Sequence, residues 1–156
     1  MRLAALLLSI LLLAFTHFSS GTHVADRELI IETNQQVREG FASQDIAKIL
    51  QYHHPKVEKV FAWDDYQKGH ADMEAALSAT FQNYTLTFEG SPEDMDSLEI
   101  FEQTAVMIAP FSITGTPTND EVGPFVFSGR TMIVYVRDSR SPTGWMTLRE
   151  MIVPAS

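Results

Sequence analysis

The spacing of apolar positions changes once along the chain, near Thr85. Before it, apolar residues recur with a helical period. Ile30, Asn34, Val37 and Phe41 fall on one face and predict a helix over Ala25–Phe41. Asn34 interrupts that stripe, either as a satisfied core amide or as a hydrogen-bonding group facing a pocket. Asp45 is placed to cap a second short helix, Ile46–Tyr52, by accepting from its free amides, and Pro55 is expected to end it. Val57, Lys59, Phe61 and Trp63 alternate along a strand over 57–63. A loop is expected over 64–69. A third helix over Ala71–Tyr84 would bury Met73, Leu77, Phe81 and Tyr84.

From Thr85 the period is two. Thr85–Phe88 alternates, Gly90-Ser91-Pro92 turns, Leu98 and Ile100 alternate, and Thr104–Ile113 forms a long apolar strand. A polar connection over 115–123 leads to Phe125–Arg137, and a turn over 138–144 leads to Trp145–Val153. The last two segments read as a hairpin. The predicted fold class is α+β: three N-terminal helices packed on a strongly curved antiparallel sheet, forming a cone. In Arg130–Val136 both alternating rows are apolar, Met132, Val134 and Val136 on one and Ile133 and Tyr135 on the other. A half-exposed antiparallel strand carries one polar row. Two apolar rows imply that a second copy of the chain covers the face the helices leave open.

Composition narrows the context. Arg2 precedes an apolar run from Leu3 to Phe15, too short for a membrane span of about 20 residues but suited to a secretory leader. Ser19 and Gly21 fit a cut before Thr22, so residues 1–21 are expected to be a signal peptide and 22–156 one domain. This implies a secreted or periplasmic protein that does not stay in the membrane. An uncleaved anchor is the alternative. A mature chain of about 135 residues buries enough surface to fold without staples, which matters because cysteine is absent. Without Arg2, ten basic residues face twenty acidic ones and no Lys/Arg cluster exists, which argues against nucleic acid and anionic membranes as partners. Acidic residues gather at Glu89, Glu93, Asp94, Asp96, Glu99 and Glu102, but their spacing matches no calcium loop. Asn83-Tyr84-Thr85 matches a glycosylation sequon that matters only in a eukaryotic host.

Two groups of residues carry possible chemistry. His53, Asp64, Asp65 and His70 flank the first strand, where a His with a carboxylate partner would serve as a general base. The same four would suit a metal, though helix-end and loop roles explain them more simply and no metal or cofactor is assigned. Arg130, Arg149 and Glu150 lie on the last two strands. Glu150 shares a row with Met146, Leu148 and Ile152, so it needs a partner or a raised pKa. An Arg130–Glu150 or Arg149–carboxylate pair is one explanation, and a ligand-facing Glu150 is the other. Trp63, Tyr135 and Trp145 would line a pocket wall or belong to the core.

The order and spacing of several short segments resemble the nuclear-transport-factor-2-like superfamily, in particular its SnoaL-like domains, over nearly the whole mature chain. Phe41-Ala42-Ser43-Gln44-Asp45 looks like the end of helix one with its Asp cap. His54-Pro55-Lys56-Val57 looks like the start of strand one, and Gly69-His70-Ala71-Asp72-Met73 like the Gly that opens helix three. Gly129-Arg130-Thr131, followed by Trp145, looks like the closing hairpin. The resemblance implies a cone-shaped ligand pocket in either an enzyme or a binding domain, since the fold hosts both. The three positions of the ketosteroid-isomerase type fall near Lys59, Val37 and Met132, so that set is missing. The expectation is a non-catalytic domain that binds a small apolar ligand through Asn34, Trp63, Arg130 and Glu150, as a homodimer. The alternative is an acid–base lyase, isomerase or hydrolase that uses a His/Asp pair.

Overall fold

In a computed structural model of the chain, residues 24–61 and 65–155 are described. The expected leader over 1–21 and its cut before Thr22 lie outside the described residues, as do Trp63 and Asp64.

The first helix, α1, runs through 24–42 and buries Ile30 and Thr33. The second, α2, spans Ile46–Gln51. Its cap is the predicted one, with Asp45 Oδ1 accepting from the Lys48 amide at 2.9 Å. Pro55 does not end it: the chain is already extended at His53, and Pro55 sits inside strand β1, His53–Phe61. The stretch read as a loop holds an edge strand, β2, Asp65–Lys68. The third helix, α3, spans Gly69–Asn83 and buries Met73 and Leu77. Gly69 opens it with a φ of 77°, a conformation that needs no β-carbon. The remaining strands are β3 Tyr84–Phe88, β4 Ser97–Ile100, β5 Thr104–Pro117, β6 Phe125–Arg137 and β7 Trp145–Pro154.

The helices pack against one strongly curved, half-barrel sheet of order β2-β1-β7-β6-β5-β3, with β4 on the other half of the β5 edge. All neighbouring pairs are antiparallel except β1 and β7, which run parallel. That pair joins the first strand to the last, and such a parallel contact requires a long connection rather than a hairpin. Curvature has local causes. The register of β6 with β7 slips between Val134 and Tyr135, leaving Leu148 as an extra residue in β7. Gly129 allows β7 to close on β6, because a β-carbon there would collide with the Val153 carbonyl oxygen.

Two apolar clusters hold the layers together. Ile30 of α1 packs on Ala105, Met107, Ile133, Tyr135 and Trp145 of the sheet. Ile49, Val57, Met73 and Leu77 join α2, β1 and α3. Between these clusters the concave face of the sheet is not filled.

Candidate ligand site

That unfilled space is a cavity of about 280 Å³. Its wall is mostly apolar. Val37 and Phe41 come from α1, Met73 and Leu77 from α3, and Phe88, Phe111 and Phe127 from the sheet. The phenyl rings meet edge-on in a chain, with centroids 5.1 Å apart for Phe41–Phe88, 6.0 Å for Phe88–Phe111 and 5.7 Å for Phe111–Phe127. Edge-on contact is the favoured geometry for such rings.

The polar groups come from strand positions whose neighbours on the same face are apolar. Lys59 and Glu150 stand side by side on β1 and β7. Lys59 Nζ lies 2.6 Å from Glu150 Oε2, and the side chains are 4% and 11% exposed. Thr131 Oγ1 donates to Glu150 Oε1 at 3.2 Å. The Lys59 ammonium also lies 5.3 Å from the Phe61 ring centroid. An ion pair this deep persists only because each charge has a partner.

His53 lines the same cavity, fully buried. Its Nδ1 is 2.8 Å from the Ile49 carbonyl oxygen, so the proton sits on Nδ1 and donates, leaving Nε2 as an acceptor. Burial holds its pKa well below the usual histidine range, and the Lys59 charge lowers it further. Tyr135 on β6 is equally buried. Burial and the nearby Glu150 charge push its phenol far above the ordinary value. Arg38 of α1 reaches the rim, donating to the Gly90 carbonyl at 2.8 Å with its guanidinium 5.4 Å from the Phe88 centroid. Burial lowers its pKa, with Asp94 acting in the opposite sense.

The structure separates the residues singled out from sequence. Asn34 and Glu150 line the cavity. Arg130 does not: it is on the outer face, its side chain 61% exposed, paired with Asp96 at 3.1 Å. Glu150 therefore pairs with Lys59 rather than Arg130, and Arg149 pairs with Glu58 at 3.3 Å. The Glu150 row also departs from simple alternation. Ile152 shares its inward side, but the extra residue at Leu148 turns Thr147 and Trp145 inward in place of Leu148.

His53 and Asp65 both line the cavity, with no hydrogen bond between them, and His70 is not part of its lining. His53 begins β1 and Asp65 pairs with its last residue, Phe61. The His70 ring approaches the His53 backbone carbonyl at 2.7 Å, not its imidazole. Asp65 accepts from Gln67 Nε2 at 3.3 Å. Among the described residues, no three His or carboxylate groups gather as a metal site. Lys59, Thr131 and Arg38 were not among the candidates. Lys59 was legible as a charged residue between Val57 and Phe61 in an inward row. Arg38 and Thr131 carry no comparable signal.

No protein-family model matches the chain, and no curated protein matches it in sequence. Solved structures do. A conserved protein from Planctomyces limnophilus superposes with a TM-score of 0.69 at 19% identity, covering 83% of this chain and 98% of that one. A nuclear transport factor 2 (NTF2-like) superfamily protein from Salmonella enterica gives 0.68 at 15% identity, covering 86% and 94%. A ketosteroid isomerase-like protein from Erwinia carotovora gives 0.65 at 11% identity, covering 83% and 95%. At these identities the likeness establishes the fold: the chain has the half-barrel architecture of the nuclear-transport-factor-2-like superfamily.

Proposed function

We propose that this SnoaL-like domain binds a small apolar ligand inside the cone, with the Lys59–Glu150 pair and Asn34 marking the polar part of the site. The observation that carries this reading is the cavity itself, an apolar space with a few convergent polar groups. Such spaces are where small ligands bind. The exported, homodimeric state expected from the leader and from the outer face of β6 belongs to the same proposal.

The acid–base alternative needs a histidine beside a carboxylate at the cavity. His53, Asp65 and Glu150 all line the cavity, but each is paired with another group: His53 with the Ile49 carbonyl, Asp65 with Gln67 and Glu150 with Lys59. His54 does approach a carboxylate, Asp138 at 3.8 Å, but neither residue lines the cavity. Binding is therefore favoured over a lyase, isomerase or hydrolase built on a His/Asp pair.

Native mass spectrometry of full-length gene product purified from its own host tests the reading. The expected spectrum is a dimer of chains shortened by about 21 residues, with a retained small molecule released on denaturation. Protein that carries no ligand and takes up no two-ring aromatic probe would overturn it.

A further inference from the structure

Arg38 lines the cavity from α1, one turn beyond Asn34 on the same helix face. Its guanidinium is anchored on one side only. Nη1 donates to the Gly90 carbonyl at 2.8 Å, with the Glu89 carbonyl at 3.5 Å. Nε is buried and has no partner among the described residues. No described carboxylate lies within ion-pair distance of the group either. The two carboxylates that line the cavity are committed, Glu150 to Lys59 and Asp65 to Gln67. Asp94 acts on Arg38 from farther off, and its Oδ2 accepts from the Ser91 amide at 2.7 Å.

A buried N–H is normally hydrogen-bonded, and a guanidinium keeps its charge at any physiological pH. Burial works against that charge. An anion at Nε would satisfy the donor and the charge together. A carboxylate has the matching shape, because Nε–H and the adjacent Nη2 N–H point the same way and can meet its two oxygens side by side. An anion entering an apolar space without such a partner would be strongly disfavoured. The neighbouring rings set the rest of the ligand. The guanidinium lies 5.4 Å from the Phe88 centroid, and Phe88 continues into Phe111 and Phe127. A flat body on those rings brings its end to Arg38.

We propose that the cavity takes an aromatic carboxylic acid in its anionic form, with the carboxylate on the free edge of Arg38 and the ring system against Phe88, Phe111 and Phe127. This rests on the binding reading above and adds the chemistry of the ligand's polar end.

Three probes of one shape test it: 2-naphthoate, 2-acetylnaphthalene and 2-ethylnaphthalene, titrated against the wild type, Arg38→Met and Arg38→Lys. Met keeps an apolar stem and removes the charge and the donors. Lys keeps the charge and removes the Nε edge. Ligand-free thermal melts report whether each variant folds as the wild type does. Naphthoate is expected to bind the wild type about tenfold tighter than the ketone. That preference should vanish in Arg38→Met, with the affinity for the ethyl compound held within about twofold, and Arg38→Lys should restore only part of it. Naphthoate no tighter than the ketone in the wild type, or a preference that survives in Arg38→Met, overturns the inference while leaving apolar binding intact. Full restoration by Arg38→Lys overturns the role of the Nε edge. Binding by none of the three overturns the binding reading itself. If neither variant folds, the arginine Nε–H resonances of isotope-labelled wild type decide: one should move with naphthoate and stay in place with the ethyl compound, and no such movement overturns the inference.

Discussion

Lys59 Nζ lies 2.6 Å from Glu150 Oε2, on the first and last strands of the sheet, which run parallel, in the wall of an apolar cavity. Taking both charges out of water is unfavourable, and their attraction offsets that only while both are present. Lys59→Met should therefore destabilise the fold by about 3–5 kcal/mol, because Glu150 is left buried without its cation. The double variant Lys59→Met with Glu150→Leu should regain most of that loss. Urea unfolding of the wild type, the single variant and the double variant measures both effects. A single variant as stable as the wild type would show that the pair contributes nothing.

Acid should weaken the protein through His53. Its folded pKa is held well below the ordinary histidine value of about 6.5, by burial first and by the Lys59 charge second. The unfolded chain thus binds a proton that the folded one refuses. The stability contributed by a neutral His53 is complete above about pH 6.5 and is lost as the pH falls toward the folded pKa. The slope from this one group is at most about 1.4 kcal/mol per pH unit. His53→Phe should remove that part of the difference between unfolding at about pH 7 and about pH 5.5. Identical pH slopes in the two proteins would exclude His53 as the cause.

The outer face of the sheet should be a contact between two copies. Met132 and Met151 pair across β6 and β7 and are 46% and 51% exposed, with Val153 at 59% two residues along β7. A contiguous patch of this kind is uncommon on a free monomer. Light scattering at micromolar concentration should give a dimer mass for the wild type. Met132→Glu combined with Met151→Glu should give a monomer with an unchanged circular dichroism spectrum. A wild-type monomer would dispose of the idea.

Much of the cavity wall was visible in the alternation of the strands. Val57, Lys59 and Phe61 do share one side of β1, and Ile133 and Tyr135 do share the inner side of β6. Asp65-Tyr66-Gln67-Lys68 was not visible as a strand. It is short and polar, and it is extended because β1 supplies its hydrogen bonds, from Glu58–Lys68 to Phe61–Asp65. No local propensity encodes such an edge. Arg130 sits on the opposite side of β6 from Tyr135, and its expected contact with Glu150 failed because Glu150 faces inward.

Local spacing, then, determined which residues form helices, which form strands, and on which side most strand residues fall, because side-chain direction follows directly from backbone period. The cap at Asp45 and the opening of α3 at Gly69 were determined the same way, by geometry within a few residues. The tertiary structure alone decided who meets whom across the sheet. Glu150 finds Lys59 because β1 lies parallel to β7, and Thr147 turns inward because Leu148 is an extra residue in the register. Strand order and register are set by closing long loops and burying whole faces at once, so no short window of sequence contains them.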